Sequence, residues 1–114
     1  MKKNMIDDSL HKIKAAVQTA PSISKEKKAE LLRLLSGLES EIVELRESEP
    51  EHAQNIIGFI ERSVDEAMRQ NKDMEQLRLS LEGISGSVKK FEVSHPRLVA
   101  EVNSICTMLA NMGI

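Results

Sequence analysis

Apolar residues recur along this chain in alternating steps of four and three, the spacing that keeps them on one face of an α-helix. The first stripe is Ile6, Leu10, Ile13, Val17 and Ala20, and it predicts a helix over about 4–20. Asn4 is placed to cap that helix, and Pro21 to stop it. Asp7 and Asp8 fall in its first turn, where the helix dipole favours negative charge. A second stripe, Leu31, Leu35, Leu38, Ile42 and Leu45, predicts a helix over 24–47 with Ser22 or Ser24 as its cap. Leu32, Leu34 and Val43 widen this face beyond a two-stranded seam and point to bundle packing.

The third helix, expected over 50–70, opens on a capping box formed by Ser48 and Glu51, with Pro50 tolerated in the first turn. Ala53, Ile57, Ile60, Val64 and Ala67 carry its stripe, with Ile56, Phe59 and Met68 beside them. The register then fails at Gln70-Asn71-Lys72-Asp73 and resumes in shifted phase at Met74, Leu77, Leu81, Ile84, Val88 and Phe91. Asp73 with Gln76 resembles a further capping box, so a turn near residues 71–73 separates a fourth helix over 73–93. The alternative is one long helix over 50–93 containing a phase slip. Ser94-His95-Pro96 ends this segment and opens the last, with Ser94 as the expected cap and Pro96 in the first turn. Leu98, Val102, Ile105, Leu109 and Met112 form the final stripe over 96–112, with Val99, Cys106 and Ala110 alongside. Gly113 suits a left-handed C-cap from which Ile114 folds back. The expected architecture is therefore all-α, one domain, an antiparallel bundle of five segments, or four if the third and fourth are continuous.

Composition refines this picture. Phe59 and Phe91 are the only aromatic residues, so the core must be built from many medium-sized aliphatic contacts along coiled-coil-like seams. Wide apolar faces on nearly every helix then lead to the expectation of a homodimer. Charge is uneven: residues 1–28 carry seven lysines against Asp7, Asp8 and Glu26, while residues 29–51 carry seven glutamates against Arg33 and Arg46. Opposite charge on adjacent segments favours antiparallel contact between them, although each exposed pair contributes only about 0–1 kcal/mol. Glu39, Glu41, Glu44 and Glu47 read as a solvated face. Neither block has the basic footprint of a nucleic-acid binder. The lysine-rich start suits an anionic membrane surface only weakly, because Asp7 and Asp8 interrupt it. A single cysteine excludes an intramolecular disulfide and a cysteine-based zinc site. No run approaches a transmembrane span, and the start turns acidic where a signal peptide would be apolar, which together suggest a cytoplasmic protein.

Candidate chemistry is sparse. Each histidine follows an acid by three residues: Asp8 and His11, Glu49 and His52, Glu92 and His95. Two Glu-x-x-His pairs belong to the ligand set of di-iron bundles, which makes Glu49, His52, Glu92 and His95 the candidate metal ligands. Such ligands project inward from mid-helix, whereas His52 and His95 sit at helix boundaries beside prolines, so capping and surface roles are expected instead. Ser94 and His95 lack the elbow and oxyanion-binding loop of a nucleophile site. Gly83-Ile84-Ser85-Gly86 lacks the strand that a phosphate loop requires. Cys106 on an apolar face reads as an inert small hydrophobe, and Met108 and Met112 as core filling rather than an adaptable groove. Ser80, Gly83, Gly86 and Ser87 form a small-residue strip that either admits a neighbouring helix closely or is merely tolerated. No catalytic residue and no cofactor are expected, and a non-enzymatic interaction or assembly module is the favoured function class. A metal-binding bundle and a peripheral membrane-surface binder are the alternatives.

The C-terminal two-thirds resembles a bacterial family of short helical proteins grouped as a domain of unknown function. The likeness lies in Ser80-Leu81-Glu82-Gly83, in Phe91-Glu92 leading to Ser94-His95-Pro96, and in Asn111-Met112-Gly113-Ile114, with weaker support at His52-Ala53 and Gly58-Phe59. The resemblance implies a helical protein and carries over no catalytic residues.

Overall fold

The computed structural model describes residues 5–21, 23–69 and 71–112. Among them are five α-helices and no strand: α1 (Met5–Thr19), α2 (Lys25–Ser48), α3 (Pro50–Ala67), α4 (Met74–Val88) and α5 (Pro96–Met112). A short 3-10 turn, Lys89–Phe91, follows α4. The expected caps at Asn4 and Gly113, the alternative cap at Ser22 and the fold-back of Ile114 lie outside the described residues, as does the side chain of Met112.

The stripes pack as their spacing requires. Ile6, Leu10, Ile13 and Val17 of α1, and Leu31, Leu35, Leu38, Ile42 and Leu45 of α2, are all buried. So are Ala53, Ile57, Ile60, Val64 and Ala67 of α3, Leu77, Ile84 and Val88 of α4, and Leu98, Val102, Ile105 and Leu109 of α5. Phe91 on the 3-10 turn joins the same cluster. Val43 departs from expectation: it is 38% exposed, on the outer side of α2 beside Glu44. Met74, at the start of the fourth stripe and the first residue of α4, is 44% exposed.

Helices α2, α3, α4 and α5 form a closed ring in which each touches the next and α5 returns to α2. Helix α1 stands outside this ring and touches only α2 and α3. The antiparallel sense of neighbours is visible in their polar ties. Lys14 Nζ donates to Glu39 Oε1 at 2.8 Å and Arg46 reaches Asp7 at 3.9 Å, so α1 and α2 run oppositely. Glu39 is therefore a tie to α1, not only part of a solvated face. Lys28 Nζ donates to the Gln18 carbonyl at 3.1 Å, closing the α1–α2 corner.

The helix boundaries show which local signals act. Ser24 caps α2 by accepting from the Lys27 N–H at 3.2 Å. Asp73 caps α4 by accepting from the Gln76 N–H at 3.0 Å. Helix α3 thus ends at Ala67 and α4 starts afresh at Met74, and the single long helix over 50–93 is set aside. The Glu66 carboxylate ties the two ends together by accepting the Asp73 N–H at 2.9 Å. The capping box expected of Ser48 and Glu51 does not form. Helix α2 runs through Ser48, and Glu49 serves as its C-cap while also standing before α3, with no side-chain cap. The reason is that the Glu49 N–H is already held by the Leu45 carbonyl at 2.8 Å, which carries α2 one residue past the expected cap. Pro50 then opens α3, as its missing N–H permits. At the last corner Pro96 opens α5, which puts His95 in the cap position and leaves Ser94 in the preceding turn. The His95 N–H donates to the Phe91 carbonyl at 2.7 Å and its own carbonyl accepts from Val99 at 3.3 Å.

The small-residue strip divides in two. A methyl group on Gly83 would meet the Phe59 ring of α3 at 3.4 Å, about ordinary van der Waals contact, so the ring packs beside Gly83 without requiring a glycine there. Gly86 faces open space.

Candidate docking surface and histidine corner

Between α4 and α5 lies an open apolar groove of about 600 Å³. Met74, Leu77 and Leu81 supply its α4 wall, and Cys106, Thr107 and Ala110 its α5 wall. Leu81 and Cys106 on its two walls are only half-buried, while Leu77 at its base is sealed. The rim carries two carboxylates that share one guanidinium within α4, which leaves a net single negative charge. Arg78 Nη1 donates to Glu82 Oε2 at 2.7 Å, and its Nε donates to Glu75 Oε2 at 3.1 Å. These three residues at i−3, i and i+4 lock one another on the helix surface. What the groove offers a partner is therefore mainly apolar area.

Burial pushes the Cys106 thiol up to about 11. Its thiolate population near neutrality is thus about 100-fold below that of an ordinary cysteine. Reaction with a disulfide reagent at pH 8 is expected to be slower by that order in the folded chain than in urea, as absorbance would show. Equal rates in both states would mean that Cys106 is freely accessible. A thiol whose folded pKa is raised also favours the folded state less as pH climbs from about 9 to about 11, because the unfolded chain releases its proton first.

The histidines gather at the opposite kind of place, a polar corner. His52 at the start of α3 and His95 before α5 both meet the Phe91 ring edge-on, at centroid distances of 5.6 and 5.9 Å. Lys90 Nζ lies 3.3 Å from His52 Nε2 and 5.7 Å from the Phe91 centroid. Donation from the ammonium requires that nitrogen to be the unprotonated acceptor. Glu49 Oε1 is 3.7 Å from the same nitrogen. Of the four candidate ligands, Glu49 and His52 are adjacent, His95 joins them only through the phenylalanine ring between, and Glu92 is exposed. Among the described residues no three His, Cys, Asp or Glu side chains are grouped to hold an ion. The corner is a packing arrangement in which two imidazoles and an ammonium cover one aromatic ring. Its composition is readable in the sequence, but its convergence on Phe91 is not, because three separate boundaries meet there. His11 lies elsewhere, in a small cleft with Asp7, Lys14 and Glu39.

A family model described as Domain of unknown function (DUF4404) matches residues 38–114. The chain belongs to that family. Its matched part begins midway along α2 and includes all of α3, α4 and α5, so both the open groove and the histidine corner lie inside it. Helix α1 lies wholly outside. No curated protein and no solved structure matches the chain. Among the described residues no helix is long and apolar enough to cross a membrane.

Proposed function

We propose that the protein is a non-enzymatic helical interaction and assembly module of the cytoplasm, self-associating as a homodimer through its α4–α5 face. The α4–α5 groove carries this reading: it presents Met74, Leu81 and Ala110 outward while its rim charges are paired within α4. A second copy suits the apolar lining of such a face, with the net negative rim of each copy a small, salt-screened opposition. Two adjacent helices of 15 and 17 residues offer a patch of about 25 by 20 Å, or about 1,000 Å² counting both subunits. That is the lower end of specific interfaces.

Light scattering and sedimentation are expected to show a dimer at high micromolar concentration. Ala110 is exposed, so Ala110→Arg leaves the helix intact while placing a charge in the groove. It is expected to weaken the dimer at least about tenfold, or 1.4 kcal/mol, with the circular dichroism spectrum unchanged. A wild-type chain that stays monomeric at that concentration refutes the reading.

A further inference from the structure

A cleft of about 400 Å³ lies between α1 and α3 and shares no residue with the α4–α5 groove or the histidine corner. Its base is apolar: Ile13 of α1 and Val64 of α3 are buried there, with Ala16 beside them. Gly58 lines it too, and packing does not account for a glycine at that position. Its φ is not positive, and a methyl group on it would meet nothing within 4 Å. A glycine inside a helix costs stability relative to alanine, because it has more backbone freedom to lose on folding. What Gly58 contributes in return is open space on the α3 wall.

Four charged residues border the cleft, two of each sign: Lys12 of α1, and Glu61, Arg62 and Asp65 of α3. Two are engaged elsewhere. The Arg62 guanidinium lies over the Phe59 ring, 5.0 Å from its centroid, and Asp65 pairs with Arg69 at 3.7 Å. Lys12 and Glu61 remain. Among the described residues neither makes a hydrogen bond or an ion pair, although Glu61 is half-buried. The two walls of one cleft thus carry an unmatched ammonium and an unmatched carboxylate above an apolar base.

We infer that the α1–α3 cleft binds a small zwitterion with an aliphatic body, of which a free branched-chain α-amino acid is the simplest. Its carboxylate meets Lys12, its ammonium meets Glu61, and its side chain lies against Ala16 and the open wall at Gly58. An anion alone leaves the Glu61 carboxylate without a partner, and a cation alone leaves the Lys12 ammonium so; a zwitterion answers both. The volume suits such a ligand, since small-molecule pockets begin at about 300 Å³ and combine an apolar lining with a few polar groups. The site is independent of the α4–α5 face.

The test uses the full-length chain labelled with nitrogen-15, titrated with L-leucine, N-acetyl-L-leucine and L-leucinamide at about pH 6.5, where an α-amino group is charged. Leucine is expected to bind saturably at millimolar concentration or below, with amide shifts centred on residues 12–16 and 58–65. The acetylated compound lacks the ammonium and the amide lacks the carboxylate, so each should bind at least about tenfold more weakly. Lys12→Gln should bind leucine and leucinamide alike, and Glu61→Gln should bind leucine and its acetyl derivative alike, which assigns each charge to its wall. Gly58→Leu fills the cleft and should abolish binding with the circular dichroism spectrum unchanged. Should that variant fold poorly, the two glutamine variants still decide. Absence of saturable shifts, equal binding of the three compounds, or shifts centred on other residues overturns the inference. None of these results bears on the α4–α5 reading, which is judged by oligomeric state.

Discussion

Replacing Leu38 by alanine is expected to lower the unfolding free energy by about 3–5 kcal/mol, the upper range for a buried leucine. Leu38 is completely inaccessible in the middle of α2, the helix that touches α1, α3 and α5 at once. The loss has two parts: the transfer of the removed atoms, and the cavity left because the surroundings relax only partly. Here relaxation is hindered. Leu35 and Ile42, its neighbours along the α2 stripe, are themselves fully buried in the same core cluster. With two phenylalanines in the chain, both committed to the α3–α4 side, no large flexible ring is at hand to swing into the gap. Urea denaturation would measure the change as a lower midpoint at unchanged slope. A loss below about 1 kcal/mol would show that the α2 seam is loosely packed, against everything its burial implies.

How far the fold could be read from the residues follows from what spacing encodes. A stripe at steps of four and three tells which side of a helix faces inward, and the buried faces of all five helices were legible in that way. It does not tell which neighbour the face meets. Nothing in Ile6, Leu10, Ile13 and Val17 distinguishes a helix inside the ring from one laid on its outside. That difference depends on which helices meet in three dimensions. The same blindness hid the α4–α5 groove: Leu81 and Ile84 look equivalent in the stripe, yet Ile84 is sealed while Leu81 is half-open. Caps were legible where the side chain is the cap, as at Ser24 and Asp73. They misled at Ser48, because a backbone hydrogen bond from Glu49 to Leu45 outweighed the local preference of a serine. Glu66 could have been found, since an acid seven residues before a cap can turn back to its N–H, but that signal is weak without the turn's path. The histidine–acid spacing falls at helix boundaries, and the prolines beside His52 and His95 announce this in the sequence. Their meeting point, Phe91, is a tertiary fact.

The separate standing of α1 leads to the second large effect. Ile13→Asp is expected to release α1 from the bundle while leaving α2 to α5 folded. Ile13 is 1% exposed, and holding a carboxylate there without a partner costs several kcal/mol. Protonating the acid in place is one escape, but at neutral pH it costs about 1.4 kcal/mol for each unit by which its pKa must rise. Detachment avoids both costs and forfeits only contacts to α2 and α3. The same substitution in α2 or α5 has no such exit, because each packs against three other helices. Hydrogen exchange read by mass spectrometry should therefore show residues 5–19 exchanging as an unstructured segment while α3 and α5 keep their protection. Far-UV circular dichroism should lose the share of one 15-residue helix. Collapse of protection throughout would mean that α1 is an integral wall of the core, and intact protection over 5–19 would mean that the seat of α1 on α2 and α3 tolerates charge.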